Sequence, residues 1–232
     1  MDIYFGKPSD NKIILDEDES NHLINVKRVR IGDLVHVTDG EGNIYLTELL
    51  NLEKRSCTLG IRETKRANKN PFHLHIALAP TKNIERVEWF LEKATETGID
   101  EISFLQCRHS ERKEIKTERL NRVVVAAIKQ SIKPFLPKLN PMVDFKTFIS
   151  GNFSGTKLIC TMHVEKIEDL KKNYLPGNNL TVLIGPEGDF HREELNLAIE
   201  YGFKPTLLGP SRLRTETAAM TVCTLFNFMN EI

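Results

Sequence analysis

The sequence predicts an α/β protein in two parts, a small strand-rich N-terminal region and a larger region where strands alternate with helices. Three observations carry this reading. Residues 1 to about 69 alternate short apolar segments with turn signals. From His73 onward, strand-like apolar runs alternate with helical patterns, the order of a mostly parallel sheet with helices on both faces. Two of the late runs end in Gly-Pro, at Gly185-Pro186 and Gly209-Pro210.

In the first region, Asp33–Thr38 has near period-2 character and stops at Asp39-Gly40-Glu41-Gly42-Asn43, after which Ile44–Thr47 resumes it. Two such runs around a glycine-containing loop predict a hairpin. A further strand fits Ser56–Ile61, and several short strands predict a small barrel. The polar stretch Glu63–Asn70, ending at Pro71, reads as a linker, so the boundary falls between residues 69 and 70.

In the second region, His73–Ala79 predicts a strand, and Asn83–Thr97 a helix closed by Gly98. Strand character follows at Ile102–Leu105, Lys157–Cys160, Leu180–Ile184 and Pro205–Leu208. Helices are expected at Thr117–Gln130, at Glu193–Tyr201 before Gly202, and at Thr215–Met229, with Thr215 as the N-cap of the last. On that last helix Ala219, Val222, Cys223, Phe226 and Met229 form one stripe, while Ala218, Leu225 and Phe228 lie off it. So wide an apolar surface predicts a partner subunit in a homodimer.

Composition narrows the class. Of 232 residues, 40% are hydrophobic and 28% charged, an ordinary globular balance. No apolar run approaches the ~20 residues of a membrane span, and the N-terminus lacks the pattern of a secretory signal, so a cytoplasmic protein is expected. Cys57, Cys107, Cys160 and Cys223 are widely spaced, which predicts reduced thiols and no metal site. Lysine plus arginine total 32 and aspartate plus glutamate 32, so nucleic-acid binding would rest on local patches. Three patches stand out: Lys27-Arg28-Val29-Arg30, Lys65-Arg66 with Lys69, and Arg108 to Lys116. Each reads equally as a solvated surface.

Ligands of open α/β sheets bind at the carboxyl ends of strands. Leu183-Ile184-Gly185-Pro186-Glu187-Gly188-Asp189-Phe190 is one such end, and Leu207-Leu208-Gly209-Pro210-Ser211-Arg212-Leu213-Arg214-Thr215-Glu216-Thr217 another. Glycine admits close backbone approach and proline stiffens a loop, which suits a flat heterocycle. Tight turning alone also explains one such loop. Neither run is a dinucleotide fingerprint or a phosphate-binding loop.

These two runs, with Asn21-His22, Val26–Arg30, Asp39-Gly40 and Glu92–Gly98, resemble the RsmE family, small-subunit (16S) ribosomal RNA uracil-N3 methyltransferases of the SPOUT superfamily. The chain departs from the family pattern at Asp189, His191 and Lys129, and at Arg108-His109-Ser110. The resemblance implies a PUA-like β-barrel over residues 1–69 and a SPOUT methyltransferase domain with a C-terminal trefoil knot over residues 70–232. It also implies a homodimer with composite sites, acting on small-subunit ribosomal RNA of the assembled or assembling 30S subunit. By resemblance, S-adenosyl-L-methionine is bound by Leu183, Gly185, Glu187, Gly188, Leu208, Gly209, Leu213, Thr217 and Ala218, and RNA by Lys27, Arg28, Arg30, Arg108 and Arg112. For chemistry, Arg214 is the leading candidate, because a guanidinium stays charged and offers paired donors to a uracil anion. A structural ion pair with Glu216 or Glu187 is its alternative. Glu216 is a candidate base or a helix-dipole partner, and His163 and His191 are further proton acceptors. A non-catalytic RNA-binding or ribosome-assembly protein of the same fold is the competing reading. A hydrolase is disfavoured by the lack of a Gly-x-Ser-x-Gly elbow.

Overall fold

The computed structural model describes residues 2–53, 55–164 and 167–230. The chain divides into two compact units, Met1–Lys69 with Val125–Leu136, and Asn70–Val124 with Pro137–Ile232.

In the first unit, β1 (Ile3–Phe5), β2 (Pro8–Ser9), β3 (Lys12–Leu15), β4 (Leu34–Thr38), β5 (Asn43–Leu52) and β6 (Cys57–Arg66) form a six-stranded sheet in the order β1-β4-β5-β6-β3-β2. β1 runs parallel to β4 and every other pairing is antiparallel. The hairpin β4–β5 turns around Asp39. Its buried carboxylate accepts from Glu41 N at 2.7 Å, Asn43 N at 3.1 Å, Asn43 Nδ2 at 2.7 Å and Tyr45 Oη at 2.9 Å. Burial alone would raise the Asp39 pKa, but these donors outweigh it and hold the carboxyl below its ordinary range. β6 continues to Arg66, so the first half of the expected linker is strand, because Glu63–Arg66 pair with Asn43–Leu46 of β5. Ladder hydrogen bonds override the polar composition there.

Helix α1 (Glu17–Asn21) is capped by Asp16, whose side chain accepts from Glu19 N at 2.8 Å, and runs into a π-helical turn, His22–Val26. The unit closes on alternating inward residues, among them Ile13, Leu15, Val35, Val37, Leu49 and Leu59.

In the second unit, seven strands form one wholly parallel sheet in the order β11-β13-β10-β12-β7-β8-β9. They are β7 (Leu74–Leu78), β8 (Glu101–Gln106), β9 (Lys138–Asp144), β10 (Thr156–Cys160), β11 (Glu168–Asp169), β12 (Leu180–Ile184) and β13 (Lys204–Leu207). The helices are α2 (Ile84–Thr97), α3 (Thr117–Ser131, whose residues from Val125 on belong to the first unit), α4 (Phe145–Ile149), α5 (Leu170–Asn173), α6 (Arg192–Glu200) and α7 (Thr215–Met229). β9 and α4 carry no clear sequence signal: β9 contains Asn140 and Pro141, and α4 is a single turn capped by Asp144.

The sheet is apolar on both faces, as buried parallel strands require. On one face, Ala77, Leu105, Ile159 and Leu183 pack with Phe145 and Phe148 of α4 and with Leu195 and Ala198 of α6. On the other, α7 packs on β7, β12 and α2. Ala219, Val222, Cys223 and Phe226 are 0–1% exposed. Gly98 ends α2 at φ 124°, and a Cβ there would sit 2.8 Å from Asn227 Oδ1. Asn227 Nδ2 in turn donates to Gly98 O at 2.7 Å, so glycine is required on both counts. The N-cap of α7 is Arg214, with Thr215 already in the first turn, a correction to the expected cap. No helix among the described residues is long and apolar enough to cross a membrane.

Candidate active site

The carboxyl ends of three neighbouring strands, β12, β10 and β13, open onto one cavity of about 620 Å³ in the second unit. Its walls are Ile184–Asp189 after β12, Cys160–His163 after β10, Thr206–Gly209 and Ser211–Arg214 after β13, and Arg86, Thr215 and Ala218 from α2 and α7. The volume falls within the ~300–1,000 Å³ of small-molecule pockets.

The loops are tied to one another. Thr215 Oγ1 donates to Gly185 O at 3.0 Å, and Arg212 Nη2 to Glu187 O at 3.0 Å. Lys82 N donates to Glu187 Oε1 at 3.1 Å. At Gly185 a Cβ would stand 3.1 Å from the ring of Phe190, which fills the space beneath the loop. At Gly209, φ is 126° and nothing lies within 4 Å of the Cβ position, so the backbone demands glycine and leaves room for a ligand to lie against it. Burial, then the Asp189 carboxylate, push the Cys160 thiol far above its ordinary value, which keeps it a neutral wall.

Of the residues expected to bind a cofactor, Gly185, Glu187, Gly188, Leu208, Gly209, Leu213 and Ala218 line the cavity together. Leu183 is 0% exposed and belongs to the core beneath it. Thr217 is exposed on α7, away from the lining. Arg214 lines the cavity, and among the described residues its side chain has no hydrogen bond or ion pair. The alternative pairing with Glu216 or Glu187 is therefore not what the geometry displays. Glu216 is 8% exposed and off the lining; Oε1 lies 3.9 Å from Arg86 Nε, and Oε2 is buried without a hydrogen bond.

Sequence reasoning missed Arg86, Thr161, Met162, Asp189 and Arg212 as walls of this cavity. Only the Arg212 and Asp189 positions, inside the Gly-Pro runs, carried a usable signal. His163 lines the cavity, its Nε2 3.4 Å from Asp189 Oδ2. His191 instead caps α6, forming a capping box with Glu194.

The expected RNA contacts fall into two classes. Arg28, at φ 54°, and Arg30 are exposed in the first unit without an ion pair among the described residues, whereas Lys27 Nζ pairs with Asp2 at 2.7 Å. In the second unit, Arg108 Nη1 donates to Glu193 Oε2 at 2.9 Å. Arg112 donates to Thr81 O at 3.1 Å and to Lys82 O at 2.5 Å, in the loop before α2.

Fold and site together define an α/β protein with a small-molecule-sized cavity at the carboxyl edge of its parallel sheet. A model of the RNA methyltransferase domain matches residues 68–227, and one of the RNA methyltransferase PUA domain matches residues 15–62. The chain belongs to this RNA methyltransferase family. It is 27% identical over 229 residues to ribosomal RNA small subunit methyltransferase E of Buchnera aphidicola subsp. Acyrthosiphon pisum, covering 94% of this chain and 89% of the relative. A crystal structure of a probable rRNA-methyltransferase from Porphyromonas gingivalis matches with a TM-score of 0.94 and 34% identity, over 100% of this chain and 99% of that one. A ribosomal RNA small subunit methyltransferase E from Neisseria gonorrhoeae, bound to S-adenosyl methionine, matches with a TM-score of 0.87 and 24% identity, over 99% and 98% of the two chains.

Proposed function

We propose that this chain transfers a methyl group from S-adenosyl-L-methionine to N3 of a uridine in 16S small-subunit ribosomal RNA. The observation that carries the reading is the convergence of both Gly-Pro loops and the start of α7 on one cavity. Membership of the family and the named relatives support it. The cavity also fits the cofactor: Gly209 leaves its backbone open, and Leu208, Leu213 and Ala218 offer apolar contact.

Gly185, Glu187, Gly188, Leu208, Gly209, Leu213 and Ala218 would hold the cofactor, largely through backbone. When bound, it supplies an activated methyl group on a sulfonium. The protein's work is orientation and electrostatics. The uracil imide becomes nucleophilic on losing its N3 proton, and the charge spreads onto the flanking carbonyl oxygens. Arg214, unpaired at the cavity wall, meets that charge with a planar pair of donors. Arg28 and Arg30 of the PUA-like unit would position RNA through phosphate contacts.

The same reading includes a C-terminal trefoil knot, cytoplasmic action on the 30S subunit and a homodimer. Phe228, 78% exposed on α7, favours the dimer. Mass spectrometry of 16S ribosomal RNA from cells lacking the protein tests the activity: one N3-methyluridine should disappear, and the purified protein with S-adenosylmethionine should restore it. An unchanged spectrum overturns the reading.

A further inference from the structure

Asp189 stands at φ 63°, a left-handed conformation that few non-glycine residues adopt. The strained backbone aims its carboxylate at the neighbouring loop. Oδ2 accepts from Thr161 Oγ1 at 3.0 Å and from Met162 N at 3.2 Å, and His163 Nε2 lies 3.4 Å away. Oδ1 accepts from its own neighbour, Phe190 N, at 2.7 Å. Thr161 Oγ1 accepts in turn from His163 N at 3.2 Å. Thr161, Met162, His163 and Asp189 all line the cavity, and beyond the β10–β12 ladder, which ends at Cys160 and Ile184, the side-chain hydrogen bonds between the two loops converge on Asp189.

We infer that Asp189 is a positioning residue for the cofactor: it latches the loop after β10 onto the loop after β12, so that Thr161–His163 forms a preset wall. This rests on the S-adenosylmethionine reading above. Preorganisation raises affinity because the ligand need not order the wall itself.

The test is calorimetry and steady-state kinetics with S-adenosylmethionine on the full chain. Asp189→Gly suits the left-handed backbone and removes every acceptor, while Asp189→Asn keeps one acceptor oxygen and tolerates the conformation. Thr161→Val removes the partner hydroxyl without touching residue 189. Hydrogen bonds to a charged group are typically large enough that the glycine variant should bind at least ~10-fold more weakly. Asparagine should recover part of that loss. The KM for S-adenosylmethionine should rise by a larger factor than kcat falls. Thr161→Val should weaken binding several-fold and add little on top of Asp189→Gly, since both break one latch. Binding by Asp189→Gly within about twofold of wild type, or full additivity with Thr161→Val, overturns the latch. Failure of the wild-type protein to bind S-adenosylmethionine overturns the underlying reading and the latch with it.

Discussion

Thr215 Oγ1 donates 3.0 Å to the carbonyl oxygen of Gly185, fastening the first turn of α7 to the start of the β12 loop. Thr215 is 5% exposed, so water cannot readily replace the bond. Thr215→Val keeps the shape and strands the carbonyl, which costs about 1–2 kcal/mol. Calorimetry should show roughly fivefold or greater loss of S-adenosylmethionine affinity, with Thr215→Ser close to wild type. Equal affinity in the valine variant would show that the two loops hold their places unaided.

Arg214 borders the cavity with no partner among the described residues, so its removal leaves no buried charge behind. Arg214→Ala should fold and bind S-adenosylmethionine, yet methylate RNA at least ~100-fold more slowly in single turnover. Arg214→Lys should also be slow, because an ammonium lacks the planar fork. Near-normal turnover in Arg214→Ala would remove the residue from the chemistry.

Lys129, on the part of α3 that belongs to the first unit, pairs with Glu19, which also accepts from Phe5 N at 3.4 Å. The Lys129 and Glu19 side chains are 25% and 9% exposed. Lys129→Ala strands a nearly buried carboxylate and should destabilise by about 2–4 kcal/mol, somewhat less than a fully buried pair. Adding Glu19→Gln should recover much of the loss. Chemical denaturation measures both; additive losses would mean the pair is not coupled.

Burial pushes the His75 imidazole down to about 4, and its Nε2 lies 2.8 Å from Ser103 Oγ. The ordinary pKa, near 6.5, holds in the unfolded chain, so that state binds the extra proton between the two values. Stability is therefore full above pH ~6.5 and falls as pH drops toward 4, by about 3 kcal/mol at most from this group. A His75→Gln variant should lack that component of the acid-side slope. An unchanged slope would assign acid sensitivity to other groups.

Much of the fold was legible because local chemistry and tertiary need agree. The helical pattern from Asn83 and the Gly98 terminus predict α2 within one residue of its bounds, Asn83 being its cap, and the bounds of β12 and α7 agree with the sequence pattern. β9 was not legible, because Asn140 and Pro141 suit a strand only at the edge it occupies. The linker was misread for a related reason: Glu63–Arg66 look like solvated loop until β5 supplies a pairing partner.

The candidate site divides along the same line. The two Gly-Pro runs declare themselves in sequence, since a glycine that must hold a positive φ, as at Gly209, or leave room for a packed ring, as at Gly185, and a rigid proline are backbone requirements written one residue at a time. Sequence alone therefore determined the α/β class, the family resemblance and most of the loop residues that line the cavity. Tertiary structure alone decided that Leu183 lies under the cavity, that Thr217 lies off it, and that Arg86 and Thr161–His163 complete it. It also decided that Arg112 donates to Thr81 O and Lys82 O, that His191 caps α6, and that Asp189 reaches across to Thr161. The reason is physical: a parallel sheet sets beside one another strands that are distant in the chain, here β10, β12 and β13, and no local pattern encodes which side chains then meet.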